Sequence, residues 1–222
     1  MIPGARLIIL GRQGAGKGTQ CVRLSRHFVV PHISTGDILR SAVAEGTELG
    51  RAAHAIMDRG GLVGDDVMIG IVAERLAKDD TRTRGYILDG FPRTVAQAEG
   101  LEKITAEKPI DVVIDLEVPR DVVLQRLAAR RVCTVCGQIY AASGLERQPW
   151  ICDFCGGDVQ QREDDTHDSI NRRLDLYESQ TTPLIDHFAT RGLLVLVDGI
   201  GTPEAVLSRL VVAVENRQRR RR

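Results

Sequence analysis

Apolar residues along the chain fall into two periods. Short, largely apolar runs at residues 7–10, 86–88, 112–116 and 193–197 are bounded by Gly, Asp or Pro, the pattern of strands buried on both faces of a parallel sheet. Between them apolar positions recur every three or four residues: Cys21, Leu24 and Phe28; Val67, Ile71 and Leu76; Val123, Leu124, Leu127 and Ala128; Ile170, Leu174 and Tyr177. That spacing puts an apolar stripe on each of four helices. Strands alternating with helices predict an α/β fold, a doubly wound parallel sheet, and a short strand ahead of residue 34 brings the strand count to five. Two stretches break the alternation: 34–63, polar and helical, and 129–165, which carries four cysteines. Both are expected to be inserts over a crevice, leaving 1–33, 64–128 and 166–222 as the core domain. Ligands of such sheets bind beyond the carboxyl ends of the strands, where the glycines of 11–18, Asp89-Gly90 and Asp198-Gly199 all fall.

With 222 residues, 43% of them hydrophobic, the chain can bury the core of one such domain. Thirty Lys and Arg balance thirty Asp and Glu. No global field therefore draws the protein to nucleic acid or to a membrane, and any anion site must be built locally. The first strand starts within a few residues of Met1, leaving no room for a signal or transit peptide, and no apolar run nears the length of a bilayer span. A cytoplasmic location is expected. The Arg-rich end, 219–222, is read as a solvated tail.

The stretch GRQGAGKGTQ, residues 11–20, stands between the first strand and the first helix. Gly11-x4-Gly16-Lys17 suits a loop whose backbone N–H groups turn inward on a phosphate, with Lys17 as cation and the helix dipole behind it. A dinucleotide fingerprint, G-x-G-x-x-G, fails because Thr19 occupies the place of its third glycine. The strict phosphate pattern wants Ser or Thr directly after Lys, whereas Gly18 intervenes here before Thr19.

Other polar groups gather at the same end. LDGFPRTVAQ, 88–97, sets Asp89 at a strand end, then Gly90, Phe91, Pro92 and Arg93, then a helix opened by Thr94-x-x-Gln97. Asp89 either holds the water shell of Mg²⁺ or caps a turn. Gln97 either reads a ligand or completes a capping box. In ISTGDILR, 33–40, Thr35 is equally a helix cap and Arg40 equally a solvated charge. Arg126 and Arg130 stand four apart on one predicted helix, which costs stability unless an anion lies between them. Arg131, Arg162, Arg172 and Arg173 extend that set to both roots of the cysteine insert. A solvated face accounts for any one of these alone, but together they suit a bidentate grip on phosphate oxygens when the insert closes.

Cys133-x2-Cys136-x15-Cys152-x2-Cys155 offers two knuckles with the thiolate spacing of a tetrahedral zinc ion. In a reducing compartment the pairs point to metal before disulfide. Four cysteines leave no open coordination position, so the Zn²⁺ is expected to be structural. Cys21, on an apolar helix face, is read as a core residue. The five histidines show no ligand or triad spacing and are assigned no chemistry.

With GRQGAGKGT, ISTGDILR, LDGFPRT, RLAARRVC and REDDT in place, the sequence resembles the adenylate kinase family along nearly its whole length, in the long-lid, zinc-bearing bacterial form. The resemblance implies a P-loop core, a small nucleoside-monophosphate-binding insert and a mobile lid, and the reaction ATP + AMP = 2 ADP with Mg²⁺. It also accounts for Gly18, because that family carries Gly-Lys-Gly-Thr. Carried over by motif, Gly14, Ala15, Gly16, Lys17, Gly18 and Thr19 hold the phosphates of ATP, and Arg126, Arg130, Ile139, Tyr140 and Gly201 complete its site. Thr35, Arg40, Gly61, Leu62, Val63, Gly90 to Arg93 and Gln97 line the AMP site. Arg162 and Arg173 clasp the phosphates of both nucleotides, Asp89 positions Mg²⁺ through water, and Asp164 and Asp165 assist lid closure. Lys17, Arg93, Arg130, Arg162, Arg173 and Asp89 form the implied catalytic set. Two departures stand out: Gln13 replaces the proline usual in the loop, and the lid lacks the family's common Phe-Asn-Pro-Pro stretch. Substrates and products are ATP, AMP and ADP, without nucleic acid or membrane, and a monomer is expected. Two rivals remain: a kinase for another nucleotide pair, and a nucleic-acid-binding P-loop protein with a zinc ribbon. Neutral charge and 4% aromatic content disfavour the second.

Overall fold

The computed structural model describes residues 4–59, 61–142, 150–162 and 165–220. Five parallel strands, β1 (Ala5–Leu10), β2 (His32–Ser34), β3 (Gly85–Asp89), β4 (Val112–Glu117) and β8 (Leu194–Asp198), lie in the order β2-β3-β1-β4-β8. Helices α1 (Lys17–Phe28), α4 (Asp65–Leu76), α6 (Val95–Ile104), α7 (Arg120–Ala129), α8 (His167–Leu176), α9 (Thr182–Thr190) and α10 (Pro203–Arg220) surround the sheet. The central strands β1, β3 and β4 are buried along almost their whole length. Their inward residues divide into two cores, one on each face: Leu7, Ile9, Ile87 and Ile114 meet α1, α7 and α10, whereas Ile8, Leu88 and Val113 meet α4, α6 and α9. Alternation of side chains along each strand produces this split.

Two helical stripes differ from the sequence reading. On α4 the buried residues are Met68, Val72 and Leu76, while Val67 is exposed. On α7 they are Val123 and Leu127, and Leu124 is largely outside. In both segments apolar residues stand side by side, so the periodicity fixes a helix but leaves its rotation open by one position.

Residues 34–63 fold as α2 (Thr35–Ala44) and α3 (Glu48–Asp58), packed on one another where Gly50 meets the backbone of Ala42. The cysteine-bearing insert forms a separate antiparallel sheet, β6-β5-β7, from β5 (Arg130–Cys133), β6 (Ile139–Ala141) and β7 (Val159–Gln160). One further short helix, α5 (Asp79–Arg84), precedes β3, and a π-helical turn at Tyr177–Thr181 joins α8 to α9. Among the described residues no helix is long and apolar enough to cross a membrane.

Candidate active site

The turn from β1 into α1 depends on glycine. Gly14 (φ +84°) and Gly16 (φ +99°) hold left-handed conformations, and a Cβ on Gly14 would come within 2.8 Å of Leu127 Cγ. Helix α1 then begins with no side-chain cap and no acid in its first turn, so its first N–H groups and positive dipole end face the hollow of the loop. Lys17 Nζ donates to the carbonyls of Gly11 (2.7 Å) and Arg12 (3.0 Å), which holds the ammonium against that loop. Burial pulls the Lys17 pKa below the ordinary amine range; Asp89 opposes the shift, and the nearby Arg93 and Arg130 add to it.

Arg93 follows the cis Phe91–Pro92 peptide at the end of β3 and donates through Nε to the Gly90 carbonyl at 2.8 Å. Burial lowers its pKa too, and the charges of Arg173 and Arg40 lower it further. Asp89 supplies negative charge at the centre: burial pushes its carboxyl up, but the His32 hydrogen bond and the charges of Lys17 and Arg93 prevail and hold it below the usual carboxylate range. Arg130 and Arg93 thus act on Lys17, and Arg40 and Arg173 act on Arg93, which joins five cations from five separate elements into one group. Gathering like charges in partly desolvated space is unfavourable unless anions join them.

Arg130 is not on the helix of Arg126: α7 ends at Ala129, and Arg130 opens β5 with extended backbone. The two guanidinium groups consequently have different partners. Arg126 donates to the carbonyls of Ala15 (3.0 Å) and Gly199 (3.1 Å), tying the glycine loop to the loop after β8 that also contains Gly201. Arg130 forms a two-pronged ion pair with the fully buried Asp165 carboxylate, one prong at 2.7 Å. Arg173 reaches the Met57 carbonyl of the helical insert at 3.2 Å. Arg162 is half-buried at the returning root of the lid, where its carbonyl accepts from Asp165 N–H at 3.0 Å. Arg131 instead bonds the carbonyls of Ala128 and Arg130 and lies over Trp150, and Arg172 is exposed on α8. Asp164 lies outside the described residues.

On the side of the helical insert, Ser34 caps α2 by accepting from Asp37 N–H, so Thr35 is not the cap. Thr35 is buried and donates to the Gly90 carbonyl at 2.9 Å. Arg40 pairs with Asp37 one turn away. Gly61, Leu62 and Val63 form the half-buried connection from α3 to α4. Gln97 is buried with both ends of its amide engaged: Oε1 accepts from Arg93 N–H (2.8 Å), Nε2 donates to Asp65 (2.8 Å). Its N–H bonds Thr94 Oγ1 at 3.1 Å, so Thr94 caps α6, but the Gln97 side chain returns to Arg93 N–H and not to that of Thr94, and only half of the capping box forms.

In the lid, Cys133, Cys136, Cys152 and Cys155 are free thiols whose sulfurs lie within 4.8 Å of one another. The Cys133–Cys155 and Cys136–Cys152 separations, both 3.5 Å, are close to the ~3.8 Å between sulfurs of a tetrahedral zinc site with Zn–S of about 2.3 Å. Burial works against ionisation of Cys152, but the Tyr140 hydroxyl and the N–H groups of Cys155 and Phe154 bring its pKa down to about 6. A thiol already drawn toward thiolate is suited to a metal, and the set is compatible with structural zinc. Tyr140 thereby turns its hydroxyl to the knuckles, bonding Cys152 at 3.2 Å and Asp153. Ile139 points the other way: a methyl added to Gly18 would sit 3.8 Å from its Cδ1. The lid strand therefore overlies the start of α1.

Sequence reasoning gave no role to His32 or to the Gln13–Asp165 contact. His32 approaches Asp89 at 3.4 Å, and Gln13 Nε2 donates to Asp165 Oδ1 at 3.2 Å. Neither pair has a telling spacing, since the partners are 57 and 152 residues apart; only the adjacency of β2 and β3, and of the loop and lid root, brings them together.

Residues 9–193 match the family model described as adenylate kinase. The adenylate kinase of Thermodesulfovibrio yellowstonii is 47% identical over 218 residues, covering 96% of this chain and all of the relative. That of Bacillus subtilis is 50% identical over 196 residues (87% of this chain, 90% of the relative), and that of Methanosarcina mazei 49% over 195 residues (87% and 90%).

Proposed function

Since this chain belongs to the adenylate kinase family, we propose that it catalyses ATP + AMP = 2 ADP with the cationic group around Lys17 as its working centre. It is a phosphotransferase, a nucleoside monophosphate kinase. The observation that carries the residue assignment is the run of mutually sensing cations from Arg130 through Lys17 and Arg93 to Arg40 and Arg173, with Asp89 acting on Lys17 and Arg93. The triphosphate of ATP meeting the single phosphate of AMP would supply the negative charge that this group lacks. All five cations come from one copy, which supports a monomer as the working unit.

In this reading ATP lies on Gly14 to Thr19, with Arg126, Arg130, Ile139 and Gly201 around it, while the Tyr140 side chain is turned to the knuckles instead. AMP lies between Thr35, Arg40, Gly61 to Val63, Gly90 to Arg93 and Gln97, with Arg162 and Arg173 over the joint between the two nucleotides. The Gln97 amide keeps a second N–H and a second lone pair beyond its bonds to Asp65 and Arg93, and these are what it offers to adenine. An oxygen of the AMP phosphate forms the new bond to the γ-phosphorus while the bond from that phosphorus to the bridging oxygen of ADP breaks. The attacking oxygen is already anionic, so no base is required. Lys17 and the guanidinium groups align the two phosphates and neutralise the charge that spreads over the transferring group.

Asp89, ionised and at the crevice, suits the water shell of Mg²⁺, which when bound supplies further charge neutralisation on the β- and γ-phosphates. The lid closed over α1 keeps water from the γ-phosphate. A coupled assay offering AMP, GMP, CMP and UMP as acceptors, with ATP or GTP as donor, tests the pairing. AMP with ATP should be preferred by more than tenfold over any other pair, and a stronger pair elsewhere would overturn the substrate assignment.

A further inference from the structure

Beneath the phosphate-binding loop the fold assembles three metal-ligating groups that phosphoryl transfer does not need as a set. The Cys21 thiol, the His32 imidazole and the Asp89 carboxylate place one donor atom each within 4.8 Å of the others. Their meeting follows from the topology. Strands β2 and β3 are neighbours with Ser34 opposite Asp89, so His32, two residues before Ser34, presents its ring on the same face as the carboxylate. Helix α1 packs on that face and supplies Cys21 from its second turn.

We propose that Cys21, His32 and Asp89 form a second, inhibitory site for a divalent transition metal of zinc type, separate from the four-cysteine site of the lid. The His32 Nε2 to Asp89 Oδ2 distance of 3.4 Å is already the ~3.3 Å that separates nitrogen and oxygen ligands on a tetrahedral ion with bonds of about 2.0–2.1 Å. A nitrogen, a sulfur and one carboxylate oxygen form a donor set suited to zinc, and poorly suited to magnesium, which favours oxygen alone. The ion has a way in, because the His32 and Asp89 side chains are 17% and 13% exposed while Cys21 is fully buried behind them.

On binding, the metal–sulfur bond forms as the S–H bond breaks, and the proton leaves to solvent through the crevice. Three protein donors leave a fourth position open to water or to a phosphate oxygen. Metal held there engages the carboxylate that the proposed reaction needs for magnesium, so zinc competes with catalysis. Burial and the Asp89 charge both favour the protonated thiol at Cys21, and Lys17 repels cations. With three protein donors against the four of the lid, the site is the weaker of the two and fills after it.

The test begins with full-length protein carrying one zinc in the lid. Cobalt(II) is added without nucleotide, and a new thiolate-to-cobalt charge-transfer band of one-thiolate intensity is expected at one further equivalent. Cys21→Ala removes that band; His32→Gln, a second variant that leaves the thiol in place, shifts it or weakens binding. Half-inhibition is then measured in buffers of fixed free zinc. The zinc required should rise about tenfold or more in Cys21→Ala, with zinc-free turnover near that of the parent, because Cys21 touches neither nucleotide in the proposed arrangement. Absence of the extra band, or equal zinc sensitivity in parent and both variants, would overturn the site. The spectral arm does not depend on the kinase reading, so failure of one leaves the other standing.

Discussion

Gln13 of the phosphate-binding loop donates to Asp165 at the root of the lid across 3.2 Å, and the same carboxylate carries the two-pronged pair with Arg130. Asp165 therefore joins three elements: the glycine loop after β1, the first strand of the lid and the segment by which the lid returns to α8. The proline usual in the family at residue 13 has no N–H or amide and makes no such bond. In this chain the lid root is tied to the loop by one more contact.

Gln13→Pro should loosen that tie without disturbing the Arg130–Asp165 pair. A hydrogen bond to a charged acceptor is exchanged for water at a net cost of about 1.5 kcal/mol, a rise of roughly tenfold in the KM for ATP. Turnover should stay the same or rise, because lid opening and product release limit many kinases of this kind. Steady-state kinetics decide the matter; a fall in kcat at unchanged KM would show that Gln13 acts on the chemical step instead.

Lys17 separates the chemical role of the loop from its structural one. Its ammonium bonds two loop carbonyls, yet Gly11, Gly14 and Gly16 shape the turn by themselves. Lys17→Met keeps the length of the side chain and removes the charge, and turnover should drop by about 10²–10³-fold, as for loss of one transition-state donor. The circular dichroism spectrum should be unaltered. Near-parental turnover in a folded variant would remove Lys17 from the catalytic set.

The four cysteines hold a small lid whose apolar cluster, among the described residues, contains Cys133, Cys152 and Val159 with Tyr140 and Trp150 packed against them. Such a cluster cannot fold alone, so metal is expected to supply much of the lid's stability. Chelation should lower the melting temperature by about 5–10 °C, the equivalent of some 2–3 kcal/mol at this chain length. Some activity should survive well below the transition. Complete loss of activity in chelated, still folded protein would show that the metal does more than shape the lid.

Much of this was legible along the chain, and the rest was hidden for identifiable reasons. Runs such as 112–116 announce buried strands because they are short, rich in β-branched residues and bounded by turn formers, and the spacing of Cys133, Cys136, Cys152 and Cys155 reflects a local geometry that any fold must respect. Arg126 and Arg130 were misjudged as helix neighbours because a helix end without a glycine or proline leaves no mark; Arg130 belongs to a strand. Thr35 looked like a cap because Ser34, beside it, is equally able to cap and does so. His32, Cys21 and Asp89 converge only after β2 has paired with β3, and no one-dimensional period encodes that meeting.

Asp115 and Tyr177 supply a test of buried charge that is independent of substrate. Asp115 lies on the central strand β4, almost wholly buried, and accepts from the Tyr177 hydroxyl at 3.2 Å. Burial raises its pKa, and the Tyr177 bond offsets only part of the rise. An acid whose pKa is raised by folding stabilises the native state below its unfolded value, near 3.9. That contribution is lost as the pH climbs through the folded value. Above the folded value the carboxylate is ionised inside the fold, which bears the cost of keeping the charge from water. Asp115→Asn retains an oxygen to accept from Tyr177 and carries no charge. It should therefore raise the melting temperature at pH 7 by about 2–4 °C, the effect of ~1 kcal/mol in a chain of this size, and the gain should shrink toward zero as the pH approaches 4. Thermal melts of both proteins across that range measure it. A variant that is less stable at pH 7 than at pH 4, each relative to the parent, would mean that the ionised carboxylate is compensated inside the fold, and that its partners include Lys17 or Arg12 more strongly than the Tyr177 hydroxyl.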